Sequence, residues 1–402
     1  MANQVQPIIY QIYVNEVLFN YMPMDVEFNF SWGQHDIFLA RFEYYRGLNL
    51  TTLATWADNS PIRVIWGYNG STQTWYGYVN HHTIDANSDS GSKDMQITYT
   101  CIGTSKPMNS DVTKSWGQVS GTYMAKTIAA KYGFRSVLTT SSWVLPSETQ
   151  ANESDFQFLN RISDKIGYRF WVSGGTLYFI DPSVAIQSST SQAVPSFYMD
   201  KNFTYKDTIR NFTMMKGDNL PGSVQSVRSM YGLDAQTGQA FQVTANVSST
   251  SNSTTVTPTI QQINVEWPVS DQTTATNLVN AWQGRSQFWQ TATAELYGDT
   301  LLYPGKLVTI TGAQMPTEST GNWLVSAADH VLRSSGSGIP NYDRYVAHVT
   351  LIKNTAEQTL SLKQITPVSP EFVGCTLSSN LWTASSQNVV YENTGYSGQA
   401  LS

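Results

Sequence analysis

The stretch that most constrains the fold runs from Asn152 to Asp181, NESDFQFLNRISDKIGYRFWVSGGTLYFID. It changes period part-way. Ser154 is a residue type that caps helices, and Gln157 follows three residues later, where a capping box places Glu or Gln. Phe158, Leu159, Ile162 and Ile166 recur at spacings of three and four, so they share one helical face. Gly167 comes next and can take the left-handed conformation that ends a helix. The period then becomes two. Tyr168, Phe170 and Val172 point one way, Gly174-Gly175 supplies a tight turn, and Leu177 and Phe179 return on a second strand. The stretch predicts a helix followed by a hairpin.

The rest of the chain is mostly β. Asp25 to Trp32 alternates, with Val26, Phe28, Phe30 and Trp32 on one face and Glu27, Asn29 and Ser31 on the other. Arg63–Tyr68, the turn Asn69-Gly70 and Trp75–Val79 predict a hairpin. Met95, Ile97, Tyr99 and Cys101 alternate against Gln96, Thr98 and Thr100. Trp116–Tyr132 contains a helix with Tyr123 or Met124, Ile128 and Tyr132 as its apolar stripe, ended by Gly133. A Ser-rich run, Ile186–Val194, reads as a linker, and the polar run Val247–Pro258 as an exposed loop. A further helix is expected from Ser270 as N-cap, with Ala275, Leu278, Val279, Trp282 and Trp289 near helical spacing. Strands return at Ala292–Tyr297, Leu307–Thr311, Trp323–Ser326 and Arg344–Ile352. In the last, Tyr345, Ala347, Val349 and Leu351 share a face. From about Thr366 to Ser402 the pattern is weak, which suits an arm that orders on a partner.

Composition limits the function classes. Only 13% of the 402 residues are charged, against about a quarter in ordinary globular chains, while 12% are aromatic. Such a surface suits a subunit covered by neighbours, a carbohydrate binder, or simply a β-rich protein. The net charge of −6 argues against a nucleic-acid-binding surface. Cys101 and Cys375 stand far apart, form no metal-site spacing and read as free thiols, Cys101 on a buried strand. The start, MANQVQPIIYQIY, has neither a basic region nor a long apolar one, so no signal peptide is expected. No run approaches about 18 apolar residues, which predicts no stable membrane insertion.

Glu153-Ser154-Asp155-Phe156, then Phe158-Leu159, Gly167-Tyr168 and Gly174-Gly175-Thr176-Leu177-Tyr178-Phe179 resemble a segment of the phage late-control protein D family. These are baseplate hubs of long-tailed phages, related to the N-terminal part of the type VI secretion spike protein VgrG. Pro304-Gly305-Lys306-Leu307-Val308, Gly321-Asn322-Trp323-Leu324-Val325 and His330 also resemble the family's closing barrel motif. The resemblance implies a mainly β fold with an α+β insertion: two tube-like β-barrel domains flanking a smaller α+β domain. The residue pattern along the chain bounds these at 1–105, 106–185 and 195–365, with a C-terminal arm at 366–402. It implies a structural virion protein at the phage tail tip, made in the host cytoplasm. As a homotrimer, such a hub joins the six-fold tail tube to a three-fold spike or fibre and lets DNA pass in transit. The implied partners are the tail tube protein, the tape measure protein and spike, fibre or other baseplate proteins. An internal echo fits that duplication: Pro61 through Trp75-Tyr76-Gly77-Tyr78-Val79 to His82 parallels Pro304-Gly305 through Trp323-Leu324-Val325 to His330.

The resemblance brings no catalytic motif, and the residues supply none. The histidines are His35, His81, His82, His330 and His348, with no H-E-x-x-H. His81 and His82, like Asp329 and His330, are neighbours on expected strands and so point to opposite faces. No G-x-S-x-G elbow, P-loop or G-x-G-x-x-G follows a strand. No segment is left over for a fused lysozyme with its pair of carboxylates. Trp66, Trp75, Trp282, Trp289 and Trp323 fall on apolar faces, which favours core packing over sugar stacking. The sequence therefore assigns no catalytic, cofactor-binding or metal-ligating residue and expects a non-enzyme. Two other readings stay open: a receptor- or carbohydrate-binding tail protein and a hexameric distal tail protein. A tail-associated cell-wall hydrolase is the enzyme alternative.

Overall fold

The computed structural model describes residues 8–365, apart from 44–55, 69, 88–93, 142, 146, 182–183, 187–193, 200–207, 217–223, 245–258, 265–268, 270, 286–289, 314, 335–343 and 354–362. Most of the Ser-rich linker, the loop Val247–Pro258, Trp289, Cys375 and the arm 366–402 lie outside the described residues.

The first region carries β1 (Ile8–Val14), β2 (Val17–Leu18), β3 (Asp25–Ser31), β4 (Ile37–Glu43), β5 (Pro61–Tyr68), β6 (Ser71–Asn87) and β7 (Asp94–Gly103). β3 forms because its side chains alternate: Val26, Phe28 and Phe30 are buried, while Glu27 and Asn29 are half-exposed. Trp32 lies beyond the strand and packs on Trp171 instead, 6.0 Å between rings. The sheet curls until its strands face each other across the core. Phe28 stacks on Trp66 of β5 at 4.4 Å, and Phe38 of β4 meets Trp75 of β6 at 5.4 Å. Cys101 is a buried thiol of β7.

The middle region holds β8 (Asp111–Trp116), β9 (Val119–Ser120), α1 (Gly121–Lys131), β10 (Arg135–Leu138), β11 (Val144–Leu145), β12 (Glu148–Ser154), α2 (Asp155–Ile166), β13 (Arg169–Ser173), β14 (Thr176–Ile180) and β15 (Val184–Ile186). The predicted helix-hairpin unit forms as read. The Ser154 hydroxyl accepts from the Gln157 N–H and the Gln157 side chain accepts from the Ser154 N–H, while Gly167 turns left-handed at φ 77°. In α1 it is Met124, not Tyr123, that is buried. The hairpin is covered on both faces. Phe170, Val172, Leu177 and Phe179 pack on the helices, whereas Trp171 and Ile180 join a separate cluster with Val137. β10 pairs in parallel with β14 and adds Val137 to that second face, on which Trp32 of the first region packs.

The last region contains β16 (Ser196–Tyr198), β17 (Ile209–Lys216), β18 (Val224–Leu233), β19 (Ala240–Thr244), β20 (Thr259–Asn264), α3 (Gln272–Arg285), β21 (Gln290–Tyr297), β22 (Leu307–Thr311), β23 (Gly321–Arg333), β24 (Tyr345–Lys353) and β25 (Lys363–Ile365). Ser270 lies outside the described residues, and the carboxylate of Asp271 is what accepts from the Thr274 N–H at the start of α3. Ala275, Leu278 and Val279 are buried as expected. α3 also abuts the middle region: the Trp282 indole N–H donates to the Asp164 carbonyl, and a Cβ on Gly167 would lie 2.7 Å from the Ala281 carbonyl oxygen.

Among the described residues, one sheet of 13 strands runs through both outer regions. It contains the same plan twice. Across the sheet the order is β3, β4, β7, β6, β5, β1 in the first set and β17, β21, β24, β23, β22, β16 in the second. All ladders among the first five strands of each set are antiparallel. Only the sixth differs, with β1 antiparallel to β5 and β16 parallel to β22. Both long strands skip one residue against their next neighbour, at Asn80 in β6 and Ser326 in β23. Superposing these bulges sets Ile97, Tyr99 and Cys101 on Ala347, Val349 and Leu351, and Ile62 and Val64 on Val308 and Ile310. All ten are buried. The two tryptophans of the sequence echo are not equivalent, because Trp323 falls on Gly77. The Trp75 ring nevertheless lies over Gly77, 2.3 Å from where a Cβ would stand.

The cap of α2 provides a test of the local analysis. Ser154→Ala should lower stability by about 1 kcal/mol, read as a shift in the urea midpoint of the full chain. An unchanged midpoint would show that the capping box does not stabilise the unit.

Candidate functional site

The residue types that could do chemistry are dispersed. Both His81 and His82 are exposed on β6, and the His81 ring bonds to the neighbouring Asn80 side chain at 2.9 Å. Asp329 and His330 face opposite ways. Asp329 accepts from the Asn29 amide at 3.1 Å, whereas His330 is fully buried. The His330 Nε2–H donates to the Leu302 carbonyl at 2.8 Å, which leaves Nδ1 to accept from the Tyr345 hydroxyl at 2.9 Å. Burial pushes its pKa down to about 4, so the ring is neutral at pH 7. Trp66, Trp75 and Trp323 lie in cores, and Trp282 is half-buried with its N–H bonded. Among the described residues no three of His, Cys, Asp and Glu gather to hold a metal ion, and no helix is long and apolar enough to cross a membrane.

What the fold does assemble is a junction. The second half of β23 leaves its own set and pairs with β3, from Ala327 opposite Ser31 to Arg333 opposite Asp25. The side chains follow the backbone across. Leu332 and Tyr345 of the second set are buried in the core of the first, and the His330 ring lies 4.9 Å from Trp66 and 5.7 Å from Phe30. On the outer face Arg41 binds Asp25 and Glu27 at 2.9 and 3.0 Å, beside the Asn29–Asp329 bond. Ordinary motif searches miss this arrangement, since its parts are some three hundred residues apart and only the duplicated strand order reveals it.

A second feature lies where all three regions meet. Asp36 follows His35, whose ring stacks on Phe156 at 3.8 Å and bonds Ser105 and Asn109. The Asp36 carboxyl is buried, and its Oδ1 has no hydrogen-bond partner among the described residues. Burial pushes its pKa up to about 8, partly offset by a hydrogen bond from Ser173 at the hairpin tip. Its charge in turn raises the phenols of Tyr178 and Tyr303, which burial already disfavours from ionising. Sequence gave no sign of this residue, because an Asp beside a turn is ordinarily solvated.

In the helical region Asp155 is the organising charge. Burial alone would raise its pKa, but hydrogen bonds from Lys131, Gln150 and Tyr132 outweigh it and hold the carboxyl below the usual range. These bonds tie the end of α1 to the start of α2. Nearby, Lys165 and Glu148 form a buried ion pair that Arg161 extends.

No protein-family model matches the chain, and no curated protein matches it by sequence. Its fold is similar to that of solved tail proteins. The 43 kDa tail protein of prophage MuSo2 from Shewanella oneidensis matches with a TM-score of 0.61 at 12% identity, over 87% of this chain and 99% of that one. The tail protein from Neisseria meningitidis MC58 matches at 0.57 and 12% identity, over 86% of this chain and 96% of that one. The E. coli c3393 protein, a component of the type VI secretion system with structural similarity to T4 bacteriophage tail proteins, matches at 0.50 and 9% identity, over 87% and 77%. At these identities the likeness shows a shared fold: the mainly β architecture with its helical insertion is shared with these phage-type tail proteins and this type VI secretion system component.

Asp36 makes the junction sensitive to pH in an unusual direction. With about 8 in the folded chain and 3.8 as the ordinary value, the folded state holds a proton that the unfolded state has released. Stability from this group is complete below pH 4 and is lost as pH rises through 8, by up to about 1.4 kcal/mol per pH unit. His330 acts oppositely, its contribution being lost as pH falls from 6.5 towards 4. The window free of His330 is therefore pH 6.5 to 8, at whose upper end Lys306, lowered to about 8 by burial, opposes Asp36 in part. Asp36→Asn should flatten the fall in urea midpoint across that window and raise stability at pH 8; an unaltered slope would refute the assignment.

Proposed function

We propose that this chain is a structural subunit of a phage-type tail, and more narrowly a hub at the tail tip. In that role three copies would place six β sets around an axis, matching a six-fold tail tube on one side and a three-fold spike or fibre on the other. The observation that carries the reading is the duplicated strand order within one continuous sheet. A chain holding two quasi-equivalent units is what symmetry matching requires, because three chains then present six similar surfaces. The shared fold of the tail proteins supports the tail context. The low charge content supports a surface covered by neighbours, and the net charge of −6 suits a lumen that does not retain DNA.

The proposed division keeps 1–105 and 195–365 as the two tube-like β-barrel domains, 106–185 as the α+β domain and 366–402 as an arm for a partner. Contacts cross those limits, among them the pairing of β15 with β25 and the burial of Leu332 and Tyr345 in the first core. The proposed partners are the tube protein, the tape measure protein and spike, fibre or other baseplate proteins, in a virion assembled in the host cytoplasm. No reactive group is needed for this work.

Light scattering on the purified chain, alone and mixed with the tube protein of the same particle, tests the proposal. The expected result is a three-chain species that caps tube ends in electron micrographs. A stable monomer that ignores the tube, or a hexamer, would overturn it.

A further inference from the structure

The junction within the chain has a counterpart that the single chain leaves open. Among the described residues, β17 pairs only with β21, so its other side is a bare sheet edge. The second half of β6, from His81 onward, likewise pairs only with β7. In the repeat, β17 matches β3 and β6 matches β23, the two strands that pair at the junction between β3 and β23. The same pairing is therefore available once more, but its two halves sit at opposite ends of one chain.

We infer that β17 of one copy pairs antiparallel with the second half of β6 in a second copy of this chain. The matched ladders fix the register. Transferring the β3–β23 pairing through the repeat sets Thr83 opposite Met215, Ile84 opposite Met214 and Asp85 opposite Thr213. The inference rests on the ring reading above and supplies its contact between protomers.

Differences in burial between matched residues support the pairing. Val26 and Phe28 of β3 are fully buried beneath β23, whereas their matches on β17, Phe212 and Met214, are only partly buried. His330 and Leu332 of β23 are fully buried; Ile84, the match of His330, is 49% exposed. Met215, the match of Asn29, is 68% exposed. Apolar side chains are thus exposed at the positions where the missing strand would lie. Neither edge carries the proline with which proteins blunt exposed strands. The contact joins two different surfaces, so it is heterologous and head-to-tail, and it ends only by closing a ring.

The test places one cysteine on each edge. Directly opposite residues of an antiparallel pair bring their Cβ atoms to about 4.5–5.5 Å, close enough for a disulfide after slight adjustment. In a Cys375→Ser background, the double variant Thr83→Cys/Met215→Cys should cross-link under mild oxidation into a covalent three-chain species. Either single variant should run as one chain. Ile84→Asp, at a residue exposed in the isolated chain, should cut the assembled fraction at least tenfold while leaving the far-ultraviolet circular dichroism unchanged. A three-chain assembly in which the double variant does not cross-link overturns the pairing and leaves the ring standing. Cross-linking in an assembly of another size keeps the pairing and overturns the three-fold ring. A chain monomeric at every concentration overturns both.

Discussion

Every residue of a β-strand carries backbone groups that must meet a partner or water, and an open sheet leaves such groups along both edges. In this chain the ladder between Asp25–Ser31 and Ala327–Arg333 removes one pair of edges by joining the start of the fold to its end. Much else follows from that contact. It merges two curled sheets into one and carries Leu332 and Tyr345 into the first core. It also encloses His330, a polar ring in an aromatic setting that is tolerable only because both nitrogens are bonded. The α+β region sits in the connection between the two sets and is pinned from both sides, by Asp36 and Ser173 at the hairpin tip and by α3 against Gly167.

Local structure was legible wherever local rules decide it. The capping box, the glycine that ends α2, the Gly174-Gly175 turn and the alternation of β3 depend on neighbours within a few residues, and they form as read. The errors came where a distant element intervenes. Trp32 of the first region packs on the second face of the hairpin, so Trp171 is buried although it lies opposite the apolar stripe. Trp32 ends the alternating run but is drawn to Trp171 instead of the core beneath β3. Asp271 caps α3 because its carboxylate reaches both the N–H and the hydroxyl of Thr274, and two adjacent cap-type residues cannot be ranked by sequence alone.

The duplication was glimpsed through the wrong residues. Trp75 and Trp323 drew attention to it, yet they differ by two positions in the superposed ladders. The alternation of Ile97, Tyr99 and Cys101 against Ala347, Val349 and Leu351 was equally visible and holds residue for residue. Side chains can fill one cavity from alternative positions on the same face, as the ring of Trp75 does over Gly77. A bulge has less freedom, because moving it would turn the side chains between its old and new positions to the other face of the sheet. Asn80 and Ser326 are therefore the more reliable markers of common architecture, and neither stands out in the sequence.

The closed and open junctions differ in chemistry in a way that suits their settings. Between β3 and β23 the contacts are directional: Asn29 to Asp329, and His330 between Tyr345 and Leu302. Such bonds need groups held within a few tenths of an ångström, which folding of one chain supplies, and a misplaced buried polar group would cost about 1–3 kcal/mol. At the positions of the open edges that match His330 and Asn29 stand Ile84 and Met215. These side chains gain by burial in many orientations, and methionine adapts to an imperfect surface. They also cost little while exposed, since an apolar side chain in water leaves no charge or donor unpaired in the isolated chain. An edge that must wait for a separate molecule favours this non-directional chemistry, whereas one satisfied during folding can depend on hydrogen bonds. The exchange of His330 for Ile84 and of Asn29 for Met215 between the two junctions follows that line.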